Sequence, residues 1–289
     1  MFHNERYLGY FFIGPTLITI TLVMVFPLIY GFVMSFFEDE VILTQFVGFG
    51  NYFEIINNPK FWNSLMITLI FTLSSVGLHF VLGMILALLL NDNSIVNSVA
   101  RVIVLIPWMV GESIVAIMWK WVFDPSFGIL NYVFTKIGLI SQNIAWLGDP
   151  RFALLSVIIV RVWRGFPFIG LLLLAGLQAI PESQYEAATV DGANSWQIFR
   201  FITLPNLKHV ITVALTLDLI WTMRSMALIN VLTEGGPGNA TKTIPIRIYE
   251  EGFQFVKLGS AAAYSVLLFV ILIVFVSIVI LNSFSKKQD

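Results

Sequence analysis

The chain has 289 residues, 58% of them hydrophobic and only 11% charged, with a formal net charge of −1. Soluble domains carry about 25% charged residues, so solvating groups are too few here for a single water-soluble globule. The near-neutral balance gives no sign of a nucleic-acid or polyanionic partner, and the absence of cysteine excludes disulfides, thiolate metal sites and a cysteine nucleophile.

A bilayer core of about 30 Å takes roughly 20 apolar residues of helix, and cutting the chain at its charges leaves six such runs. The first, 7–37, follows "MFHNER"; it is longer than the apolar region of a cleavable leader and has no A-x-A-like site after it. The second covers 61–91. The third, 102–119, holds one acid, Glu112. The fourth, 152–181, holds Arg161 and Arg164, and the fifth, 209–233, holds Asp218 and Arg224. The sixth covers 258–285. The runs are long, continuous and not alternating, which predicts helices rather than strands. The expected fold is an all-α polytopic membrane protein, a single domain over 1–289. Its spans are placed near 8–36, 62–90, 102–122, 152–178, 209–232 and 259–284.

The connectors differ in character. "NDNSIVNSVAR" is a short polar joint, whereas "FDPSFGILNYVFTKIGLISQNIAWLGDP" is long and half-apolar, bounded by Asp-Pro turns, and is expected to lie along the interface. Six spans put both termini on one side. With the termini inside, inner segments hold Arg6, Arg101, Arg200, Lys208, Lys286 and Lys287; outer ones hold Lys60, Lys120, Lys136, Arg151, Lys242, Arg247 and Lys257. The two sets nearly tie. The shorter inner loops have the denser positive charge, which mildly favours termini inside.

Between the fourth and fifth runs lies "YEAATVDGANSWQIFRFITLPNL", residues 185–207, polar and rich in small residues. Pro181 suits a helix start, and Glu182 and Glu186 in the first turns suit the helix dipole. Gly192 permits the left-handed turn that ends that helix. Asn194 or Ser195 caps a second one, carrying Trp196, Ile198, Phe199 and Ile202, and Pro205 is expected to break it. From the residues alone this is either an amphipathic connector or a docking element.

The pattern Glu186-Ala187-Ala188, Asp191-Gly192-Ala193, then Ile202, Leu204 and Pro205 resembles the "EAA…G…I.LP" loop of ABC importer permeases. "LAGLQAIPESQYEAATVDGANSWQIFRFITLP" is similar to the carbohydrate-uptake branch, typified by maltose and other oligosaccharide importers. "FVGFGNYFEI", "ARVIVLIPWMV", "WRGFPF", "VLTEGGPGNAT" and "GSAAAYSVLLF" match that branch in order along nearly the whole chain. The resemblance implies a permease subunit of an ATP-driven, binding-protein-dependent importer of sugars or oligosaccharides, working by alternating access. It implies a coupling loop over 181–207 on the cytoplasmic side and both termini inside, in the cytoplasmic membrane of a bacterium or archaeon.

The implied partners are a second homologous permease subunit, a dimer of ATP-binding subunits, an extracytoplasmic solute-binding protein, membrane lipid and a saccharide. No nucleic acid is among them. The chain lacks a G-x-x-x-x-G-K-[ST] phosphate loop. It is therefore read as non-catalytic and binding no cofactor, with ATP and Mg held by the partner ATPase. The ATPase-coupling residues implied are Glu186, Ala187, Ala188, Asp191, Gly192, Ala193, Leu204 and Pro205.

Intramembrane polar residues mark the expected substrate path. Arg161, Arg164, Gly165 and Phe168 share one helix face, and so do Asp218, Trp221, Thr222 and Ser225, with Arg224 at the edge. These stripes offer the donors, acceptors and aromatic faces that a sugar needs. The competing reading makes them structural: Glu112 neutralises Arg161, Asp218 pairs with an arginine, and Arg164 satisfies carbonyls freed by Pro167. Trp108, Trp119 and Trp121 read as interfacial anchors, and His79 as a packing residue on an apolar face. Many relatives carry an aromatic–acidic pair where this chain has Met226-Ala227, and three arginines face two acids within the spans. An acidic saccharide, such as an oligouronate, or a phosphorylated one is the substrate this suggests. No metalloprotease or hydrolase motif supports an enzyme. A proton-coupled secondary transporter is the alternative, with Glu112 and Asp218 its only plausible carriers.

Overall fold

The structure is a computed structural model that describes residues 5–38, 45–92 and 94–284. Lys286, Lys287 and the side chain of Arg6, counted above for orientation, lie outside this description. Every regular element among the described residues is helical, apart from one isolated antiparallel bridge, Phe37 to Phe46.

In chain order, α1 is Glu5–Ile20 and continues through a π turn, Thr21–Val25, into α2, Phe26–Met34. Then come α3 (Gly50–Asn57), α4 (Pro59–Leu89), α5 (Ile95–Val104), α6 (Ile106–Met109), α7 (Glu112–Val122) and α8 (Ile129–Lys136). They are followed by α9 (Pro150–Gln178), α10 (Glu182–Val190) and α11 (Ser195–Ile198). A second π turn, Phe199–Thr203, leads into α12 (Leu204–Met223); α13 (Ala227–Thr233), α14 (Ile244–Tyr249) and α15 (Leu258–Phe284) complete the chain. Among the described residues, five stretches are long and apolar enough to cross a membrane: Phe12–Met34, Pro59–Leu89, Pro150–Gln178, Ser195–Met223 and Leu258–Leu281. A bent pair, Ile95–Met109 and Glu112–Val122, makes a sixth if it counts as one span. The fold is all-α and multi-pass.

Three expectations need correction. The third run, 102–122, is not one straight helix: its two pieces meet at 91°. Val110 and Gly111 adopt extended ψ of 135° and 143°, at the end of "IPWMVG", where Pro107 and Gly111 weaken helix continuity. The fifth run, 209–232, is also interrupted, since α12 ends at Met223 and α13 begins at Ala227. Lastly, Pro205 breaks nothing: Ser195–Met223 is one continuous helical stretch. The π turn just before it, in which the Leu204 N–H donates to the Phe199 carbonyl, re-spaces the backbone bonds so that the missing proline donor is absorbed. Pro27 follows the first π turn at the same spacing.

The chain divides into two compact units, one from 1–62 and 247–270 and one from 63–246 and 271–289. In the first, Ser35 Oγ lies 2.6 Å from the Tyr52 hydroxyl, and Asn51 Nδ2 donates to the carbonyls of Ser35 and Phe37 at 3.0 and 2.8 Å. The rings of Phe36, Phe49 and Tyr52 pack around this junction. In the second, two apolar clusters frame the site. Phe71, Val115, Val157, Val160, Leu228 and Ile246 belong to one; Met84, Ile169, Leu173, Leu207 and Ala214 belong to the other. Here α4 and α9 approach at glycines: a Cβ on Gly83 would sit 3.0 Å from the Gly170 backbone nitrogen, and one on Gly170 would sit 2.7 Å from Leu86.

Candidate functional site

Where α9, α12 and the break between α6 and α7 converge, a cavity of about 500 Å³ opens. Its wall includes Arg161, Arg164, Gly165 and Phe168 from α9, then Asp218, Trp221, Arg224 and Ser225 from α12 and its end. The two stripes read from helical spacing therefore face one space. Thr222 is the exception: it is fully buried behind the wall, where it accepts from Arg161 Nη2 at 2.8 Å and donates to Asp218 Oδ1 at 3.2 Å.

Arg161 is the hub. It is only 3% exposed, and its Nη1 donates to Glu112 Oε1 at 3.0 Å, while Asp218 Oδ1 lies 3.8 Å from Nη2. The second oxygen of Glu112 accepts from Ser225 Oγ at 3.2 Å. Burying these charges without partners would cost several kcal/mol per ion, and the network supplies partners from three separate helices. The structural pairing of Glu112 with Arg161 that the sequence allowed is thus present. Arg164 is held differently: its Nε donates to the Val110 carbonyl at 3.1 Å, with Nη1 3.6 Å from Glu112. The backbone acceptor it satisfies lies at the break in the neighbouring helix pair, and not beside Pro167. Arg224, at the end of α12, is exposed and its guanidinium has no hydrogen-bond or ion-pair partner among the described residues.

Aromatic rings cover the rest of the wall. Trp108 stacks on Phe168 with centroids 4.5 Å apart and planes 15° apart, and Phe168 meets Trp221 at 5.5 Å. Trp108 is therefore part of the cavity, a role its position near a run's end did not suggest. The signal was the break itself, since "PWMVG" bends the chain so that Trp108 and Met109 turn inward. Trp119 is packed against Trp163 and Phe123 in the core, whereas Trp121 is 72% exposed.

His79 is not a plain packing residue. Fully buried on α4, it places Nδ1 2.7 Å from Asp218 Oδ2, and Nε2 donates to the Arg161 carbonyl at 3.1 Å. Gly165 makes the room, because a Cβ there would collide with the imidazole. No local pattern around His79 announces a partner 139 residues away.

The helix ends of the 181–207 loop are built from local contacts, and a longer hydrogen bond ties its two ends together. Pro181 is the N-cap of α10 and not its first residue. Gly192 has φ +78°, its N–H donates to Thr189 at 3.1 Å, and Ala193 N donates to Ala188 at 2.9 Å, a Schellman ending. Asn194 caps α11 through a reciprocal box with Gln197. Asn206 Nδ2 donates to Gln184 at 2.9 Å, tying α10 to α12. Ala188 is buried, Glu186, Ala187 and Asp191 are exposed, and Val190 and Trp196 are 87% and 69% exposed. Leu204 and Pro205 open α12.

Residues 79–289 match the family of binding-protein-dependent transport system inner membrane components. The chain belongs to that family. It is an ABC-type membrane permease subunit, and the proton-coupled alternative is not this family's class. The permease is 39% identical over 275 residues to the trehalose/maltose transport system permease protein MalF of Thermococcus litoralis, covering 94% of this chain and 92% of that one. It is 33% identical over 269 residues to the sulfoquinovosyl glycerol transport system permease protein SmoG of Agrobacterium fabrum, covering 92% and 87%. Among solved structures, a bacterial ABC transporter involved in the import of the acidic polysaccharide alginate matches with a TM-score of 0.85 and 25% identity, over 98% of this chain and 96% of that chain.

Proposed function

We propose that this permease carries an acidic oligosaccharide across the cytoplasmic membrane by alternating access, driven by ATP that partner subunits bind with Mg and hydrolyse. The observation that carries the substrate reading is the cavity wall: a row of Trp108, Phe168 and Trp221 beside Arg164 and the unpartnered Arg224. Aromatic faces suit the apolar faces of sugar rings, and guanidinium groups suit carboxylate or sulfonate oxygens. Arg161, Gly165, Asp218, Thr222 and Ser225 then serve to build and hold the wall. Two similar proteins point the same way, since sulfoquinovosyl glycerol and alginate are both acidic.

In this reading the 181–207 loop is cytoplasmic, both termini are inside, and the loop docks on an ATP-binding subunit dimer. A second permease subunit and an extracytoplasmic solute-binding protein complete the assembly. Glu186 and Asp191 present exposed charge, Val190 and Trp196 present apolar contact area, and Gly192 sets the bend between α10 and α11. The binding protein must prefer the outward state, because a ligand shifts an equilibrium only by its differential affinity.

The test is ATPase stimulation of the complete transporter in proteoliposomes by binding protein loaded with acidic or neutral oligosaccharides. The acidic glycan should stimulate and Arg224→Ala should abolish the preference. Stimulation by neutral glycans only, indifferent to Arg164→Ala and Arg224→Ala, would overturn the substrate reading. Normal transport by a Gly192→Pro variant would overturn the coupling role of the loop.

A further inference from the structure

Asp218 lines the cavity, and His79 lies fully buried behind it. Both ring nitrogens of His79 face acceptors: Nε2 lies 3.1 Å from the Arg161 carbonyl oxygen and Nδ1 lies 2.7 Å from an Asp218 carboxyl oxygen. Two heavy atoms at 2.7 Å require a hydrogen between them. A neutral ring beside an ionised carboxylate would leave two lone pairs facing each other in a site with no solvent exposure, which is costly. One proton more than a neutral imidazole plus a carboxylate, on whichever atom, would place a hydrogen in both contacts.

The surroundings complete the inventory. From α9, Arg161 faces the ring through its carbonyl and faces Asp218 through Nη2 at 3.8 Å. From α12, Asp218 is the titratable neighbour. Glu112 of α7 is engaged by Arg161, by Ser225 and, at 3.6 Å, by Arg164, not by the ring. On α4 itself, the hydroxyls of Ser75 and Thr72, one and two turns back, have no hydrogen-bond partner among the described residues. No other carboxylate neutralises the pair among the hydrogen bonds and ion pairs of His79.

We propose that His79 is a positioning residue for acidic substrate: with Asp218 it stores a proton that raises the charge of the cavity. Arg161, Arg164 and Arg224 plus this proton stand against the two carboxylates Glu112 and Asp218, giving a net charge of +2, where the arginines alone would give +1. A ligand that carries two acidic groups, such as a diuronate segment, would match that excess of two positive charges. This rests on the acidic-saccharide reading.

The experiment measures initial uptake of a uronate trisaccharide by proteoliposomes holding the complete transporter and its binding protein. His79→Gln removes the stored proton but leaves the Asp218 charge, and should slow uptake roughly tenfold, the scale of one lost charge interaction at this range. His79→Gln with Asp218→Asn restores the net charge and offers matching amide hydrogen bonds, and should recover most of the rate. A double variant as slow as the single one, or a single variant as fast as wild type, overturns the proposal.

Should the wild type not carry the uronate at all, the acidic reading fails first. The stored proton is then decided directly by ¹⁵N spectra of histidine-labelled transporter, with His79→Gln assigning the signal, together with the infrared carboxyl band assigned by Asp218→Asn. A doubly protonated ring or a protonated Asp218 at neutral pH supports it. A neutral ring beside an ionised carboxylate overturns it.

Discussion

The buried charge network and the 181–207 loop are made in opposite ways. Around Arg161, every important contact joins residues far apart in sequence: Glu112 at a separation of 49, Thr222 at 61, and His79 to Asp218 at 139. Through the loop the turn and cap contacts span three to five residues, from the Schellman ending at Gly192 to the capping box at Asn194, with Asn206 to Gln184 a longer tie at 22. The network is largely buried and its charges share partners; the loop is largely exposed and its caps lie apart. Damage should therefore spread in the first region and stay confined in the second.

The sharpest way to break that contrast is Arg161→Met. Removing the hub takes from Glu112 its 3.0 Å cation and from Thr222 its donor, a loss of about 3–5 kcal/mol for a broken buried pair, read as thermal unfolding of the purified complex. If Arg161→Met and Arg161→Met/Glu112→Gln are equally destabilised, Glu112 is not coupled to the hub and the network picture fails. Next comes Gly165→Ala, whose methyl would displace His79; overpacking of this kind costs about 1–3 kcal/mol. In a His79→Ala background the same change should cost much less.

On the loop, Asn194→Ala should cost about 1 kcal/mol, the usual worth of an N-cap. Its effect should simply add to that of Gly192→Ala, where φ +78° disfavours a side chain. Strong non-additivity, seen in a double-mutant cycle, would mean the loop is a cooperative unit like the network. Smallest of all is the exposed local pair at the start of α9. Hydrogen bonds from Arg151 hold the Asp149 carboxyl down at about 2 from 3.8. A depressed carboxylate stabilises above its unfolded value and loses that contribution as pH falls from 3.8 through about 2. The small difference in unfolding temperature between wild type and Asp149→Asn should vanish by the lower limit. A difference that persists there would have another source.

The long apolar runs were legible because lipid demands uninterrupted apolar helix, a property of composition alone. The end of α10 at Gly192 was legible because a left-handed turn favours one residue type. Helix periodicity also aligned Arg161, Arg164, Gly165 and Phe168 on one face, and the cavity uses that face. Pro205 misled because a proline's effect depends on whether the preceding turn can widen, and the π turn at Phe199–Thr203 did so.

What the sequence by itself determined, then, is everything governed by near neighbours and by solvent: the membrane class, the helices, the caps and the residue types on each face. Which residues share a hydrogen bond was decided only by the tertiary structure. His79 became part of the site because Gly165 gives it room and Asp218 comes within 2.7 Å. Trp108 joined the wall because the helix breaks at Val110 and Gly111. Contacts between distant segments carry no local signal, since each half is an ordinary residue on an ordinary helix until packing brings the other half to it.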